Sequence, residues 1–251
     1  MNKKAQVTIF IIAAIVVIAV IALIFLLRIE RIPFVPEKLE TNPRAFISSC
    51  IEEHVKGNLS LMLSQGGFVD PQNYHMFEDS KVAYLCYNSG NFYPCVNQHP
   101  MFLTEISQEL ENVTRPLVEE CFNEFKESLE EKGGYEIELG ESMEVNVSIS
   151  PKTIIVNIMR DLTITRAEEK ESYEKMSLSY SSSLYELVGI ANQIANEEAK
   201  FCSFDVLGYM NLYSNYLILR KKMSDSTKIY SIKDKQTQEQ LNIGIRGCVL
   251  K

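Results

Sequence analysis

The chain of 251 residues is 46% apolar, carries a formal net charge of −8 and contains six cysteines. Its apolar fraction is typical of a folded protein rather than a disordered one. The charge is uneven, because residues 1–28 hold three basic and no acidic side chains, which leaves 22 basic and 33 acidic side chains for the rest. A net charge of −11 repels phosphate backbones, so nucleic acid is excluded as an expected partner.

The first element is an apolar run over residues 7–27, in which Thr8 is the only polar residue. A helix of this length spans about 31 Å, close to the hydrocarbon thickness of a bilayer. A cleaved signal peptide usually has a shorter apolar core and ends in small residues, whereas this run ends in "FLLR". We therefore expect residues 1–28 to form a short basic head and a transmembrane helix. Because Lys3 and Lys4 precede the span, the N-terminus is expected in the cytoplasm and the C-terminal domain outside the cell.

The residues before the span, "KKAQVTIF", resemble the class III, or prepilin-type, leader of archaeal surface proteins. In that family a membrane peptidase removes the leader, and here the cut would fall between Ala5 and Gln6. Phe10 stands where many pilins have a glutamate. The wider chain is similar to uncharacterised membrane-anchored proteins of small-genome archaea in "KAQVTIF", "SSCIEEHVKGNLSLMLSQGG" and "KIYSIKD". The resemblance implies a membrane-anchored surface protein and brings no known activity.

The six cysteines, in a domain expected outside the cell, indicate disulfides. Six cysteines allow 15 connectivities, and spacing alone does not choose among them. We predict a local bridge around a turn-rich loop, a bridge between two helices and a bridge to the last strand, with free buried cysteines as the alternative. The pairs are Cys86–Cys95, Cys50–Cys121 and Cys202–Cys248. Because there is no C-x-x-C spacing and the three histidines are scattered, we expect no metal and no cofactor. Three N-x-S/T sequons, at Asn58, Asn112 and Asn146, permit glycosylation.

Residues 29–42 contain Pro33 and Pro36 and are expected to form an extended stalk. Residues 43–134 are predicted to be mainly helical, with one helix from Asn42-Pro43 to Gly66-Gly67. A second helix over residues 102–132 is expected to be interrupted at Pro116. Between the two helices, residues 68–100 lack a strong period and are predicted to be a long Cys/Tyr-rich loop with short strands.

Over residues 135–251 the hydrophobic period changes to two, which predicts an antiparallel meander with one buried face. A charged turn, "RAEEKES", separates its last two strands, and Ser183 and Glu186 are read as a capping box that starts a covering helix. The last fifty residues are predicted to be strands, with a solvated hairpin turn within residues 220–228. The fold class is therefore α+β: an N-terminal transmembrane helix, then an ectodomain of helices packed on an antiparallel sheet. Whether residues 43–134 and 135–251 form one domain or two stays open.

No nucleophile elbow, zinc helix, P-loop or dinucleotide motif occurs, so we do not expect an enzyme. His75 lies near Glu78 and Asp79, a trio that could orient a base, although a polar surface loop is the favoured interpretation. Cys50 and His54 are four residues apart, which could activate a thiol, but a structural disulfide is favoured. A carboxylate pair of the glycosidase kind could be hidden among the acidic residues.

The candidate binding feature is the tyrosine-rich loop, whose rings and amides suit the recognition of sugars or proteins. Its residues are Tyr84, Tyr87, Asn91, Phe92 and Tyr93. The sequence thus predicts a single-pass cell-surface protein with a structural, adhesive or binding role. Its expected partners are the lipid bilayer and other surface proteins, glycans or copies of itself. A pilin-like filament subunit and an anchored extracellular hydrolase are the alternatives.

Overall fold

The computed structural model describes residues 41–90 and 92–247, and residues from Thr41 onward belong to one compact unit. The described part is α+β, as the sequence predicts. Its helices are α1 (Pro43–Ser64), α2 (Phe102–Glu130), α3 (Leu184–Phe201) and α4 (Val206–Leu212). Its strands are β1 (Tyr74–Phe77), β2 (Ser80–Tyr87), β3 (Val96–Asn97), β4 (Glu136–Leu139), β5 (Glu144–Ser150), β6 (Thr153–Arg166), β7 (Glu169–Ser181), β8 (Tyr216–Lys222), β9 (Lys228–Asp234) and β10 (Gln240–Arg246).

The predicted transmembrane segment, residues 7–27, lies outside the described residues, as do Ala5, Gln6 and residues 29–40 of the predicted stalk. Among the helices that the structure does describe, none combines the length and the apolar character needed to cross a bilayer.

Helix α1 begins and ends where the sequence predicts. The Asn42 side chain accepts hydrogen bonds from the amides of Arg44 at 3.0 Å and Ala45 at 3.3 Å, which satisfies two N–H groups that the first turn leaves free. After Ser64, Gly66 and Gly67 adopt φ of 78° and 95°, and the Gly67 amide donates to the Met62 carbonyl at 2.7 Å. Positive φ favours glycine, so the paired glycines end the helix.

Helix α2 runs without a break through Pro116, so the predicted interruption is wrong. Proline removes one backbone donor and leaves the carbonyl four residues earlier without its helical partner. Pro116 is exposed, as is Asn112 one turn earlier. Water can therefore reach the freed carbonyl, and the buried side of the helix holds its packing.

Helices α1 and α2 lie antiparallel and are joined near one end by the Cys50–Cys121 disulfide. The rings of Phe46 and Phe125 pack at the same end, with centroids 5.2 Å apart. At the other end, a Cβ added to Gly67 would lie 2.8 Å from side-chain atoms of Phe102 and Ile106, so only glycine fits there.

The first sheet, called sheet I, consists of β4 to β7, with the long strand β6 in its centre. Its alternating residues are buried on one face, which confirms the predicted period of two; they are Val145, Val147, Ile154, Val156, Ile158, Leu162, Ile164, Met176, Leu178 and Tyr180. The predicted charged turn is shorter than expected, because β7 already begins at Glu169.

The second sheet, called sheet II, has the order β1-β2-β10-β9-β8, and β3 also pairs with β2. The sequence predicted one antiparallel sheet, but there are two, and β2 and β10 run parallel. Residues 68–100 are predicted to be a long loop with short strands, but residues 80–87 form an eight-residue interior strand with five consecutive buried residues, Val82 to Cys86. A strand that is buried on both faces has no alternation, so periodicity does not reveal it.

Helix α3 was predicted to cover the antiparallel meander, but it packs mainly on sheet II. Its buried side includes the predicted apolar residues Leu184, Val188, Ala191, Ile194 and Ala195. The predicted capping box is wrong, because the Ser183 side chain forms no cap hydrogen bond. Its hydroxyl instead donates to Glu239 at 2.7 Å, and the Ser183 amide donates to the same carboxylate oxygen at 2.5 Å. Glu239 precedes β10, so tertiary contacts between the end of sheet I and sheet II replace the local cap.

Candidate binding surface

The tyrosine-rich loop is closed by a disulfide between Cys86, near the end of β2, and Cys95, just before β3. Asn88 secures it from within: its side chain accepts from the Gly90 amide at 2.8 Å and donates to the Pro94 carbonyl at 2.9 Å. A Cβ on Gly247 would lie 2.6 Å from the Cys95 nitrogen, so the chain passes close to the base of the loop directly after β10. The loop is therefore fixed at both ends.

At the tip of this loop, Phe92 and Tyr93 are exposed by 62% and 66%. Phe92 has a φ of 67°, a left-handed conformation that is costly for a bulky side chain. Val96 and Met101, further along the chain, are each 64% exposed. The segment from residue 92 to residue 101 thus presents large apolar side chains to solvent on a disulfide-fixed base.

Tyr84 and Tyr87 form part of the base of the loop rather than its tip. Tyr84 is buried, and its hydroxyl shares a 2.9 Å hydrogen bond with Thr227 of the β8–β9 turn. A Cβ on Gly244 would lie 3.0 Å from the Tyr84 ring, so glycine in β10 lets that ring lie across the sheet. The centroid of the Tyr87 ring lies 5.0 Å from that of the Tyr84 ring, and the guanidinium of Arg246 lies over the Tyr87 ring. Of the five predicted loop residues, Phe92 and Tyr93 are exposed, and Asn91 lies outside the described residues.

His75 lies beside this base, but not in the predicted trio. Its Nδ1 is 3.5 Å from Asp225 Oδ2 and 3.4 Å from the Tyr84 hydroxyl, while Glu78 instead lies 3.9 Å from Lys221. Glu78 and Asp79 form the turn between β1 and β2, and both residues have positive φ. Sequence reasoning missed Asp225 and Thr227 because they follow His75 by about 150 residues and carry no motif.

Burial alone would raise the pKa of Asp225, but hydrogen bonds from the Thr227 amide and hydroxyl, with the nearby His75 and Arg246, hold that pKa below its ordinary value. Burial raises the pKa of the Tyr84 hydroxyl, against the lowering effect of its bond to Thr227. The Thr227 hydroxyl is enclosed, since the residue is 0% exposed. The cluster therefore ties β1, β2 and the β8–β9 turn together beneath the loop.

The remaining predicted site residues are spread over the domain. Cys50 is bonded to Cys121, so the exposed His54 has no thiol beside it. Cys202 is also disulfide-bonded, while its predicted partner Cys248 lies outside the described residues. The sequon residues Asn112 and Asn146 are exposed and Asn58 is half-buried.

Within residues 41–90 and 92–247, no three His, Cys, Asp or Glu side chains are grouped so that they could hold a metal ion. Comparisons of the chain with protein-family models, with curated proteins and with solved structures each find no match.

Proposed function

We propose that the chain is a single-pass membrane-anchored cell-surface protein whose C-terminal domain lies outside the cell and has an adhesive or binding role. The apolar run at residues 7–27 and the basic head before it support the anchor. The disulfides Cys50–Cys121 and Cys86–Cys95 support an oxidising compartment, where such bonds persist.

The single observation that carries the binding role is the exposed aromatic tip of the disulfide-closed loop. Exposed aromatic residues on a rigid base are typical of recognition sites, because rigid rings supply contact area at a small entropic cost. Scattered apolar residues on a surface need no explanation. Phe92 and Tyr93, however, are adjacent and sit on a fixed base, and Phe92 adopts a costly backbone conformation.

The anchor is tested by fractionating cells and adding protease to intact cells. We expect the full-length chain in the membrane fraction, soluble only with detergent, and its C-terminal domain cleaved by external protease. A domain that is protected in intact cells and carries reduced thiols would contradict the proposal.

The binding role is tested by comparing cell-to-cell adhesion of cells that produce the natural chain and the Phe92→Ser/Tyr93→Ser variant. We expect adhesion to fall while the amount of protein at the surface is unchanged. Leu61→Ser serves as the control, since it also replaces a large exposed apolar side chain, 42% exposed, outside the loop. Equal adhesion of cells with the loop variant and cells with the natural chain would show that the loop has no role in adhesion.

The second candidate is a pilin-like filament subunit, which the "KKAQVTIF" leader favours. N-terminal sequencing of the mature protein distinguishes the two. Gln6 as the first residue supports processing, after which electron microscopy must show filaments, whereas Met1 excludes this candidate.

A further inference from the structure

A pocket lies between the segment that follows α1, strand β2, the segment after β3 and helix α2. It has a volume of about 310 Å³, at the lower end of the size range of ligand pockets. Its walls come from Phe68 and residues 70–73, which follow the glycine end of α1, from Ala83 on β2, from Gln98 and His99, and from Glu109 on α2. Because Gly67 packs tightly against Phe102 and Ile106, the chain turns sharply and carries Phe68 into this wall.

One side of the pocket is aromatic. The rings of Phe68 and His99 lie 4.8 Å apart, and Phe102 packs 6.1 Å behind Phe68. His99 Nδ1 is 2.5 Å from a carboxylate oxygen of Glu105, which fixes the orientation of the imidazole ring. The half-buried Phe68 is therefore supported from two sides and forms a rigid apolar surface.

The other side is polar and directional. Glu109 Oε1 accepts a hydrogen bond from the Val69 amide at 3.0 Å, and Asp70 is paired with Lys81 at 2.7 Å. Gln72, Asn73 and Gln98 also line the pocket. The Gln72 amide nitrogen donates to the Asp70 carbonyl at 3.2 Å and the Gln98 amide nitrogen to the Val96 carbonyl at 2.9 Å, which orients both side chains. Glu109 forms no ion pair within the described part of the chain. The pocket therefore has carboxylate and amide groups, and among its described residues the Glu109 carboxylate is the one charge that is not paired.

This combination fits a neutral polyhydroxylated ring better than the other common ligands. A sugar places its C–H groups against an aromatic surface and its hydroxyls against carboxylates and amides, which accept and donate in fixed directions. A phosphate or carboxylate ligand would be repelled by the unpaired carboxylate of Glu109. The volume allows about one ring rather than a long chain.

We propose that this pocket binds a neutral hexose or N-acetylhexosamine unit of a glycan. Phe68 and His99 supply the surface under the ring, and Glu109, Gln72 and Asn73 supply hydrogen bonds to its hydroxyls. This inference names a ligand class for the binding role proposed above. It rests on that proposed function in one respect, namely that the domain meets glycans outside the cell. The binding itself does not require the aromatic loop.

The test uses the full-length protein in lipid nanodiscs, because glycosidic detergents would compete for the pocket. Glucose, galactose, mannose and N-acetylglucosamine are titrated separately and followed by saturation-transfer difference NMR. We expect at least one of them to bind saturably with a Kd of about 1–10 mM, as a single ring with few contacts would. Glucose 6-phosphate and choline serve as anionic and cationic probes, and both are expected to bind more weakly.

Three variants locate the binding. Glu109→Gln keeps one oxygen for the Val69 amide but replaces the second carboxylate oxygen with an uncharged amide nitrogen. We expect about tenfold weaker binding, because the hydrogen bond from a sugar hydroxyl to a charged group is lost. Gln72→Ala, at an exposed residue, should weaken binding by about threefold, the effect of one neutral hydrogen bond. Glu120→Gln, in a different groove on the same helix, should leave binding unchanged.

The proposal is overturned if none of the four sugars saturates, if Glu109→Gln binds as the natural chain does, or if choline or the phosphorylated sugar binds most tightly. Binding that depends on Phe92 and Tyr93 instead of Glu109 would also overturn it, while leaving the proposed surface role intact. Conversely, a chain found inside the cell that still binds sugar at this pocket would contradict the proposed function and not the pocket.

Discussion

At the scale of single residues, the most constrained charge is Glu198, near the end of α3. It is 1% exposed, and its carboxylate accepts hydrogen bonds from Lys228 and from the Tyr230 hydroxyl on β9. Burial, and next the bond to Glu198, raise the pKa of Tyr230 above its ordinary value, so this hydroxyl stays a donor. Lys228 also donates to the Cys202 carbonyl at 2.8 Å, which fixes the residue that ends α3.

Glu198→Gln leaves the Lys228 ammonium without its counter-charge in a mostly buried position, where its side chain is 14% exposed. We expect the free energy of unfolding, measured by chemical denaturation, to fall by about 3–5 kcal/mol. Tyr230→Phe removes only the hydroxyl and should cost about 1–2 kcal/mol. Equal costs for the two variants would mean that the charge pair is not what holds α3 to β9.

Gly244 is a second single-residue constraint, since its missing side chain makes room for the Tyr84 ring. We expect Gly244→Ala to lower the free energy of unfolding by about 1–3 kcal/mol, because the new methyl group overpacks the ring and the Ala83 carbonyl. In a Tyr84→Ser background the same change should cost clearly less, because the ring is gone. A double-mutant cycle measures this coupling, and an additive result would reject the steric explanation.

At the scale of elements, the two disulfides between described cysteines differ in the length of chain that they close and therefore in how much they stabilise the fold. Cys50–Cys121 closes a segment of 71 residues between α1 and α2, whereas Cys86–Cys95 closes a loop of nine. The entropy of chain closure grows with loop length, so the first should stabilise the fold by about 4 kcal/mol and the second by about 2.5 kcal/mol.

We expect Cys50→Ser/Cys121→Ser to lower the midpoint of chemical denaturation more than Cys86→Ser/Cys95→Ser does. The second double variant should instead expose the loop to limited proteolysis between residues 88 and 94, because its local closure is lost. Mass spectrometry of the first cleavage products distinguishes the two effects. First cleavage within α1 for both variants would contradict this division.

The same elements show what a sequence can predict. Helix α1 and the strands of sheet I carry their own signals: an N-terminal cap, paired glycines and one-sided alternation. Strand β2 carries no such signal, because burial on both faces removes the hydrophobic period. Ser183 does not cap α3, because its hydroxyl is hydrogen-bonded to Glu239, which lies 56 residues later in the chain. The pocket beside Phe68 carries no local signal either, since Phe68, His99 and Glu109 come from three separate segments that meet only in the folded chain.

At the scale of the whole molecule, polar contacts connect sheet I with sheet II. Lys152, in the β5–β6 turn of sheet I, donates to Asp234 at the end of β9 at 3.0 Å. Glu239, before β10, accepts from Ser182 and Ser183, just beyond β7. Asp234 also accepts from the Gln236 amide at 2.7 Å, so it holds both the hairpin between β9 and β10 and the neighbouring sheet.

The Asp234 carboxylate should therefore make the stability of the whole domain depend on pH. Burial alone would raise its pKa, but the Gln236 amide, Lys152 and the Thr237 amide together hold that pKa below its ordinary value of 3.8. A depressed pKa in the folded state means that the carboxylate stabilises the fold above 3.8, and that this contribution is lost as the pH falls through the folded-state value.

We expect the natural chain to lose more free energy of unfolding between about pH 5 and about pH 2 than Asp234→Asn does, because the variant has no carboxylate to protonate. Asparagine keeps an oxygen for the Gln236 amide, so the hairpin turn can still form. Asp161→Asn, at an exposed position, is the control and should follow the natural chain. Urea denaturation at each pH gives the comparison. Parallel curves for the natural chain and Asp234→Asn would show that this contact does not couple the two sheets through its charge.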